Sequence, residues 1–578
     1  MVALDLCRSL SSILVLSVVG ALLSAAEPTP PVFRLPRPLL PEAFPSPDTG
    51  VKPISDGGEY FIEIPVDHFE NKTKAVFKNR YWVNATYWQN GGPVFVFDSG
   101  EQDAAPLVPY YLQEFHGESA VMRLAERYKG LAILWEHRFY GASLPFPVNR
   151  NTTGDQWQFL NTEQALEDFI FFANSFQKSN RNDPGLASTN GTIQNLKSPL
   201  ELPVHPSTTP WIFLGGSYPG IRASFLRIRN PEVVFAAWAS SAPVQAEIDM
   251  ASYYKAAERS LTRNCSADWV SVTRHVDDTL MGGNETEKTQ MKLALLKARA
   301  GKPRGDTSEA DKITEQMAEE TSDVNAASIL MDPLDFYQYY GFERSLLPFC
   351  NLLETKNLTG DATEKGIAAD ERIETAFDAF LTAISELDYD SIPFTDDPVA
   401  DRSWMWQYCS EYGFYQRGDR NNPLSIETAF LSLDLFQQQC NDTFGKAIPP
   451  SPQTQKVNKY GGWNMNPSNI LFANGEFDPW RTMGLASIED DAPHRTPTVI
   501  IPECNTAASS DNTTFFGMTY ANMVHVSDMR VLLTPDANHT NFNTVGFYSP
   551  VSQEPFFTGL GLFQLALDKW LPCFRSED

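Results

Sequence analysis

Beyond its first residues the sequence contains no long apolar run, which excludes a chain built from several membrane-spanning helices. Basic residues are scarce: 45 Lys and Arg face 72 Asp and Glu, a formal net charge of −27. A surface of that sign repels phosphate backbones and anionic lipid, so neither a nucleic acid partner nor stable membrane insertion is expected. Histidine is sparse too, at eight in 578 residues. With no H-E-x-x-H helix and no clustered ligand set, no metal and no other cofactor is expected. No internal repeat of solenoid-like period is visible.

What is present starts with the leader. "MVALDLCRSLSSILVLSVVGALLSAAEP" has one early arginine, an apolar run from Ile13 to Leu23, and small residues at Ser24 and Ala26. This is the pattern of a signal peptide over 1–26, cut after Ala26. The mature chain is therefore expected to be secreted, with a vacuolar or lysosomal-type compartment as the alternative. Cysteine usage fits that route. Apart from Cys7 there are six, Cys265, Cys350, Cys409, Cys440, Cys504 and Cys573, and three disulfides of open connectivity are expected. Ten N-x-S/T sequons offer glycan sites: Asn71, Asn84, Asn151, Asn190, Asn264, Asn284, Asn357, Asn441, Asn512 and Asn538. The acidic excess keeps such a protein soluble, and it suits work in acid, where protonation relieves self-repulsion.

Residues 27–50 are proline-rich and read as a linker or pro-segment. Apolar runs at 93–100, 131–139, 211–217, 233–243, 469–478 and 530–538 predict strands buried on both faces, and "TEQALEDFIFFANSF" (162–176) predicts a helix between two of them. That alternation gives an α/β fold with a largely parallel sheet, formed from 51–244 and 459–578. Between these, 245–458 is dominated by helical patterns such as 288–300 and 370–387. It reads as a helical cap insertion over the active site, or as an independent second domain.

The stretch "WIFLGGSYPG" (211–220) ends a strand in small residues around Ser217 and continues into the helical "IRASFLRIR" (221–229). A strand-turn-helix elbow of this kind exposes a serine at the carboxyl end of the sheet, beside a helix N-terminus that favours developing negative charge. Pro219 stands where the second glycine of G-x-S-x-G belongs, and a helix's first turn accepts it. An α/β-hydrolase fold supplies the serine's partners in the order acid, then base. Asp478 in "NILFANGEFDPW" is the expected acid, because Pro479 and Trp480 end the run and fix the turn. Of the later histidines, His494 sits in a charged, proline-flanked stretch and His525 reads as a strand or pre-strand residue. His539 directly follows the run 530–538 and is the expected base; a glycan on Asn538 would have to be absent or point away. His68 and His137 each neighbour a carboxylate and are expected to be structural.

Nine stretches carry a family resemblance: "PVDHF" (65–69), "FKNRYWVNATYW" (77–88), "EHRFYGASLPF" (136–146), "LNTEQALEDF" (160–169), "GGSYPG" (215–220), "ASSAPV" (239–244), "QYCSEYGFY" (407–415), "NILFANGEFDPW" (469–480) and "DANHT" (536–540). With these in order, the chain resembles the serine peptidases that include lysosomal prolylcarboxypeptidase, quiescent-cell proline dipeptidase and the fungal prolyl endopeptidases. The resemblance implies an acyl-enzyme mechanism in which His539 takes the proton of Ser217 and returns it to the leaving amine while Asp478 orients the imidazole. It implies an oxyanion hole from the backbone N–H of Tyr218 and one near Glu101, in a loop "DSGEQD" that departs from the family's usual N-E-G. Trp480 and Phe414 would line a pocket for proline on the acyl side of the cut, and Arg481 could hold a terminal carboxylate. Internal, carboxy-terminal and dipeptidyl cleavage stay open, as does the oligomeric state. A carboxylesterase or lipase of the same fold, or a non-catalytic hydrolase-like binding protein, is the alternative.

Overall fold

The computed structural model describes residues 58–70, 73–112, 119–176, 204–301, 309–355, 361–387, 397–521, 523–529 and 559–574. Eleven strands lie among them: β1 Gly58–Pro65, β2 Val76–Asn84, β3 Val94–Asp98, β4 Leu131–Trp135, β5 Trp211–Gly216, β6 Val234–Ser240, β7 Glu247–Asp249, β8 Gly413–Tyr415, β9 Ile470–Gly475, β10 Thr496–Thr498 and β11 Thr514–Tyr520. Nine form one sheet in the order β1-β2-β4-β3-β5-β6-β9-β11-β10. The β1–β2 and β2–β4 pairs are antiparallel, and every pairing from β4 onward is parallel. With helices on both faces, this is an α/β-hydrolase fold.

The central strands are as the apolar runs require. Every residue of β3, β4, β5, β6 and β9 is buried, because both faces of a parallel sheet are covered. One face carries Phe95, Leu134 and Trp238, packed with Leu124 of the helix Ala120–Tyr128 and Phe563 and Trp570 of the helix Gly559–Trp570. The other carries Trp135, Trp211 and Phe213 against Phe169 and Phe172 of the helix Thr162–Ser175, which Asn161 caps by accepting the Gln164 amide. The expected run 530–538 lies outside the described residues. Beyond β9 the sheet continues with β11, whose Gly517 lies so close to β9 that a Cβ there would stand 1.9 Å from the Phe472 carbonyl oxygen. No helix among the described residues is long and apolar enough to cross a membrane.

The disulfides are Cys265–Cys350, Cys409–Cys440 and Cys504–Cys573. The first lies in a compact helical unit formed by 257–392 and 416–439. Its core is Trp269 of the helix Arg263–Gly282 against Phe349 and Phe380 of two later helices. Residues 397–415 belong to the unit that holds the nine-stranded sheet, in which β8 and β7 form a separate two-stranded parallel sheet. A three-residue strand carries too little pattern to separate it from its helical surroundings.

The helical unit holds carboxyl groups with displaced proton affinity. Burial, then a hydrogen bond and charge from Asp268, push Glu354 up to about 8; Asn264 opposes this. Asp268 itself accepts from the Ile367 and Ala368 amides at 2.6 and 2.8 Å. Burial and the charges of Glu258 and Asp419 likewise raise Glu427 to about 8, against a hydrogen bond from Ser425. Folded, these groups keep protons that the unfolded chain releases near the ordinary 4.5. Their stabilisation is complete below that pH and is lost as pH rises toward 8. The melting temperature should therefore fall between pH 5 and pH 8 by about 3 °C or more, and Glu427→Gln, neutral throughout, should flatten the slope. A melting curve indifferent to pH would contradict this.

Candidate active site

Parallel strands deliver their following loops to one edge of the sheet, so residues after β3, β5, β9 and β11 meet at a common rim. Ser217 follows β5 and Asp478 follows β9. Ser217 has φ 64° and ψ −129°, the strained backbone of an elbow, and is 5% exposed. Its amide donates to the Ser240 carbonyl at 2.9 Å, and its own carbonyl accepts from Gly220 and Ile221 as the helix Tyr218–Arg229 begins. Pro219 sits in that first turn, as the sequence allows.

Asp478 is fully buried. It accepts from the Trp480 amide at 2.9 Å, from Asn474 Nδ2 at 3.3 Å, and from an imidazole at 2.9 Å. That imidazole is His525. His539 lies outside the described residues, so the structure does not speak of it. His525 is 5% exposed and its Nδ1 faces Asp478 Oδ1; a carboxylate can only accept, so the imidazole carries a proton on Nδ1. The loop is drawn to the elbow by the next residue: a Cβ on Gly216 would stand 2.5 Å from Val526 Cγ1, so only glycine lets the two chains approach. Phe477 donates its amide to the Met523 carbonyl at 3.0 Å, tying the acid loop and the histidine loop together.

The expected oxyanion residues are also at the rim. Tyr218 opens the helix, where backbone N–H groups lack intrahelical partners. Glu101, after β3, is fully buried. Its loop is fastened to the elbow helix through Asp98, which accepts the Gly100 amide at 3.0 Å and pairs with Arg222 at 3.0 Å. Behind Tyr218, His137 Nδ1 meets the Arg138 carbonyl at 2.6 Å and must donate to it, leaving Nε2 to accept from the Tyr218 hydroxyl at 2.9 Å. Burial, then the Arg222 charge, hold His137 well below its usual range, so it stays neutral. It is structural, and it steadies the residue next to the serine.

The two expected pocket aromatics touch. Phe414 packs edge-on against Trp480 with centroids 5.3 Å apart, and Trp480 lies 6.3 Å from the His525 ring. Tyr253 adds a further wall at 5.2 Å from Trp480, and Tyr412 bridges from Phe414 to Tyr218 at 5.8 and 5.7 Å. Tyr412 is held by its hydroxyl against Thr162 Oγ1 at 2.8 Å, while Glu411 accepts both the Thr162 amide and hydroxyl. Tyr412 lies within the stretch 407–415 that carries the resemblance, whereas Tyr253 lies in none of the nine stretches. Arg481 does not offer a free clamp: its guanidinium donates to the Ala486 and Glu476 carbonyls at 2.9 and 3.1 Å.

Among the sequons, Asn151, Asn284 and Asn441 are exposed. Asn84 is 8% exposed and its Nδ2, the atom a glycan would need, donates to the Leu112 carbonyl at 2.6 Å. Asn264 and Asn512 are half-buried and donate to the Thr363 and Asn464 carbonyls. Asn71, Asn190, Asn357 and Asn538 lie outside the described residues.

A family model described as serine carboxypeptidase S28 matches residues 64–513. Among curated relatives, a "Probable extracellular serine carboxypeptidase" of Arthroderma benhamiae is 28% identical over 483 residues, covering 76% of this chain and 62% of that protein, so the chain spans less than two thirds of it. The "Thymus-specific serine protease" of Homo sapiens is 26% identical, with 74% and 77% covered. The "Lysosomal Pro-X carboxypeptidase" of Mus musculus is 26% identical, with 83% and 88% covered.

Proposed function

The chain belongs to the serine carboxypeptidase S28 family, and on that premise we propose that it hydrolyses peptide bonds on the carboxyl side of proline with Ser217 as nucleophile, His525 as base and Asp478 as orienting acid. The observation that carries this is the 2.9 Å contact of His525 with Asp478, on a loop packed against Gly216 beside the serine. His525 Nε2 accepts the Ser217 proton as Oγ attacks the carbonyl carbon, then gives it to the departing amine. A water deprotonated by the same nitrogen releases the acyl group. The amides of Tyr218 and Glu101 stabilise the oxyanion.

Flat rings suit a pyrrolidine, and proline brings no amide proton to a wall that has no acceptor. Trp480 and Phe414, with Tyr253 beside them, support that preference. Replacing Trp480 with leucine should cut kcat/KM for proline substrates roughly tenfold while leaving a small acyl ester little affected, since the backbone contact of residue 480 with Asp478 survives. Equal losses on both substrates would place Trp480 outside the pocket.

We further place the protein in the secretory route, extracellular or lysosomal in type, and expect its optimum in acid. The leader pattern, three disulfides and the names of the Arthroderma and mouse relatives support the location. The charge of −27 and the carboxyls raised in the helical unit support the optimum. The test is incubation from pH 3 to 8 with a peptide holding one internal proline, fragments read by mass spectrometry beside Ser217→Ala. Cleavage after proline that the variant lacks is expected. Hydrolysis of p-nitrophenyl esters without any peptide cleavage would favour an esterase.

A further inference from the structure

We propose that Asp528 is a positioning residue for the base, fastening the His525 turn to the same strand end that holds the nucleophile's amide. This rests on the assignment of His525 given above. The turn is secured on its entry side by the Phe477 amide on the Met523 carbonyl at 3.0 Å, and within itself by Ser527 Oγ, which accepts from the Val524 amide and donates to the Val524 carbonyl. On its exit side the fastening is Asp528. Its Oδ2 accepts from Trp238 Nε1 at 2.9 Å and its Oδ1 from the Ser240 hydroxyl. Trp238 and Ser240 belong to β6.

Ser240 is also the residue whose carbonyl receives the Ser217 amide at 2.9 Å, and the next residue, Ser241, accepts the Val526 amide on its hydroxyl at 2.9 Å. Nucleophile and base are thus hung from one stretch, 238–241, by separate bonds. Charge-assisted bonds to a carboxylate are the stronger kind, and the Asp528 side chain commits both its oxygens to this stretch. Losing them frees the turn to drift. A displacement near 1 Å at a reacting group costs on the order of 100-fold in rate.

The test uses Asp528→Asn, which keeps the shape but cannot accept from both donors, and Ser240→Ala, which removes one donor and leaves the Ser240 carbonyl on Ser217. Each is titrated with a fluorophosphonate, reading the labelling rate constant and the fraction finally labelled, with kcat and KM on a peptide beside them. For Asp528→Asn the labelling rate and kcat should fall on the order of 30- to 100-fold, with labelling still going to completion and KM within about twofold. Ser240→Ala should lose about tenfold in the same pattern. A reduced labelled fraction whose remainder reacts at the wild-type rate would make Asp528 a folding residue and overturn the inference, as would an unchanged rate. His525→Gln separates the two levels. If that variant labels at the wild-type rate the base assignment itself fails; if it is inactive while Asp528→Asn is not slowed, the inference about Asp528 alone fails.

Discussion

His525→Gln should lower kcat/KM for peptide cleavage by on the order of 10⁴-fold or more, whereas His539→Gln should stay within about threefold of wild type. The contrast follows from geometry. Asp478 has one imidazole partner among the described residues, and Oδ1 already receives both that ring and the Trp480 amide. The His525 turn is bonded to the acid loop and to β6 and touches Gly216, so a different histidine could take its place only by displacing that whole arrangement. Because triad members act as a unit, losing the base removes nearly all of the contribution of the serine as well. The check is steady-state kinetics on a proline-containing peptide for both variants. A collapse in His539→Gln with His525→Gln near wild type would reverse the assignment.

Asp478→Asn should fold and bind substrate normally yet lose on the order of 10⁴-fold in kcat. An asparagine retains one acceptor oxygen and swaps the other for a donor. At this site three donors converge, from Asn474, Trp480 and His525, on a fully buried side chain. The amide can no longer satisfy all three, and an Nδ2–H facing the ring favours the tautomer with its proton on Nε2. On the proposed mechanism Nε2 must take the Ser217 proton, and an Nε2 that already carries a hydrogen cannot. KM should change little, because the residue does not touch the leaving group. A loss confined to KM would mean that Asp478 shapes the pocket instead of the base.

The two turns were legible because each follows a buried, mostly apolar strand with residues that a tight turn explains: Gly215, Gly216 and Ser217 after β5, Asp478 and Pro479 after β9. The expected base, His539, and the run 530–538 before it lie outside the described residues. The strand beside β9 on the side opposite β6 is β11, "TFFGMTY", whose pattern is broken by Gly517. That glycine is there because the Phe472 carbonyl leaves no room for a side chain, a constraint set by the neighbouring strand and invisible along the chain itself. A strand with so broken a pattern gives the sequence no mark by which to place His525, in the loop after it, beside Asp478. Phe414 and Trp480 are named by resemblance and Tyr412 lies in the same stretch as Phe414, while Tyr253 joins Trp480 through long-range packing that leaves no local signature. The three cysteine pairings are of the same kind: an even count is local information, and which pairs form is not.

The first experiment is to react the purified protein with a fluorophosphonate and map the adduct by peptide mass spectrometry, following cleavage after proline in the same samples. A single adduct on Ser217 is expected, absent in Ser217→Ala, strongly slowed in His525→Gln, and matched in each case by loss of cleavage. An adduct on another residue, or cleavage after proline that continues in Ser217→Ala, would contradict the assignment of this serine as the nucleophile.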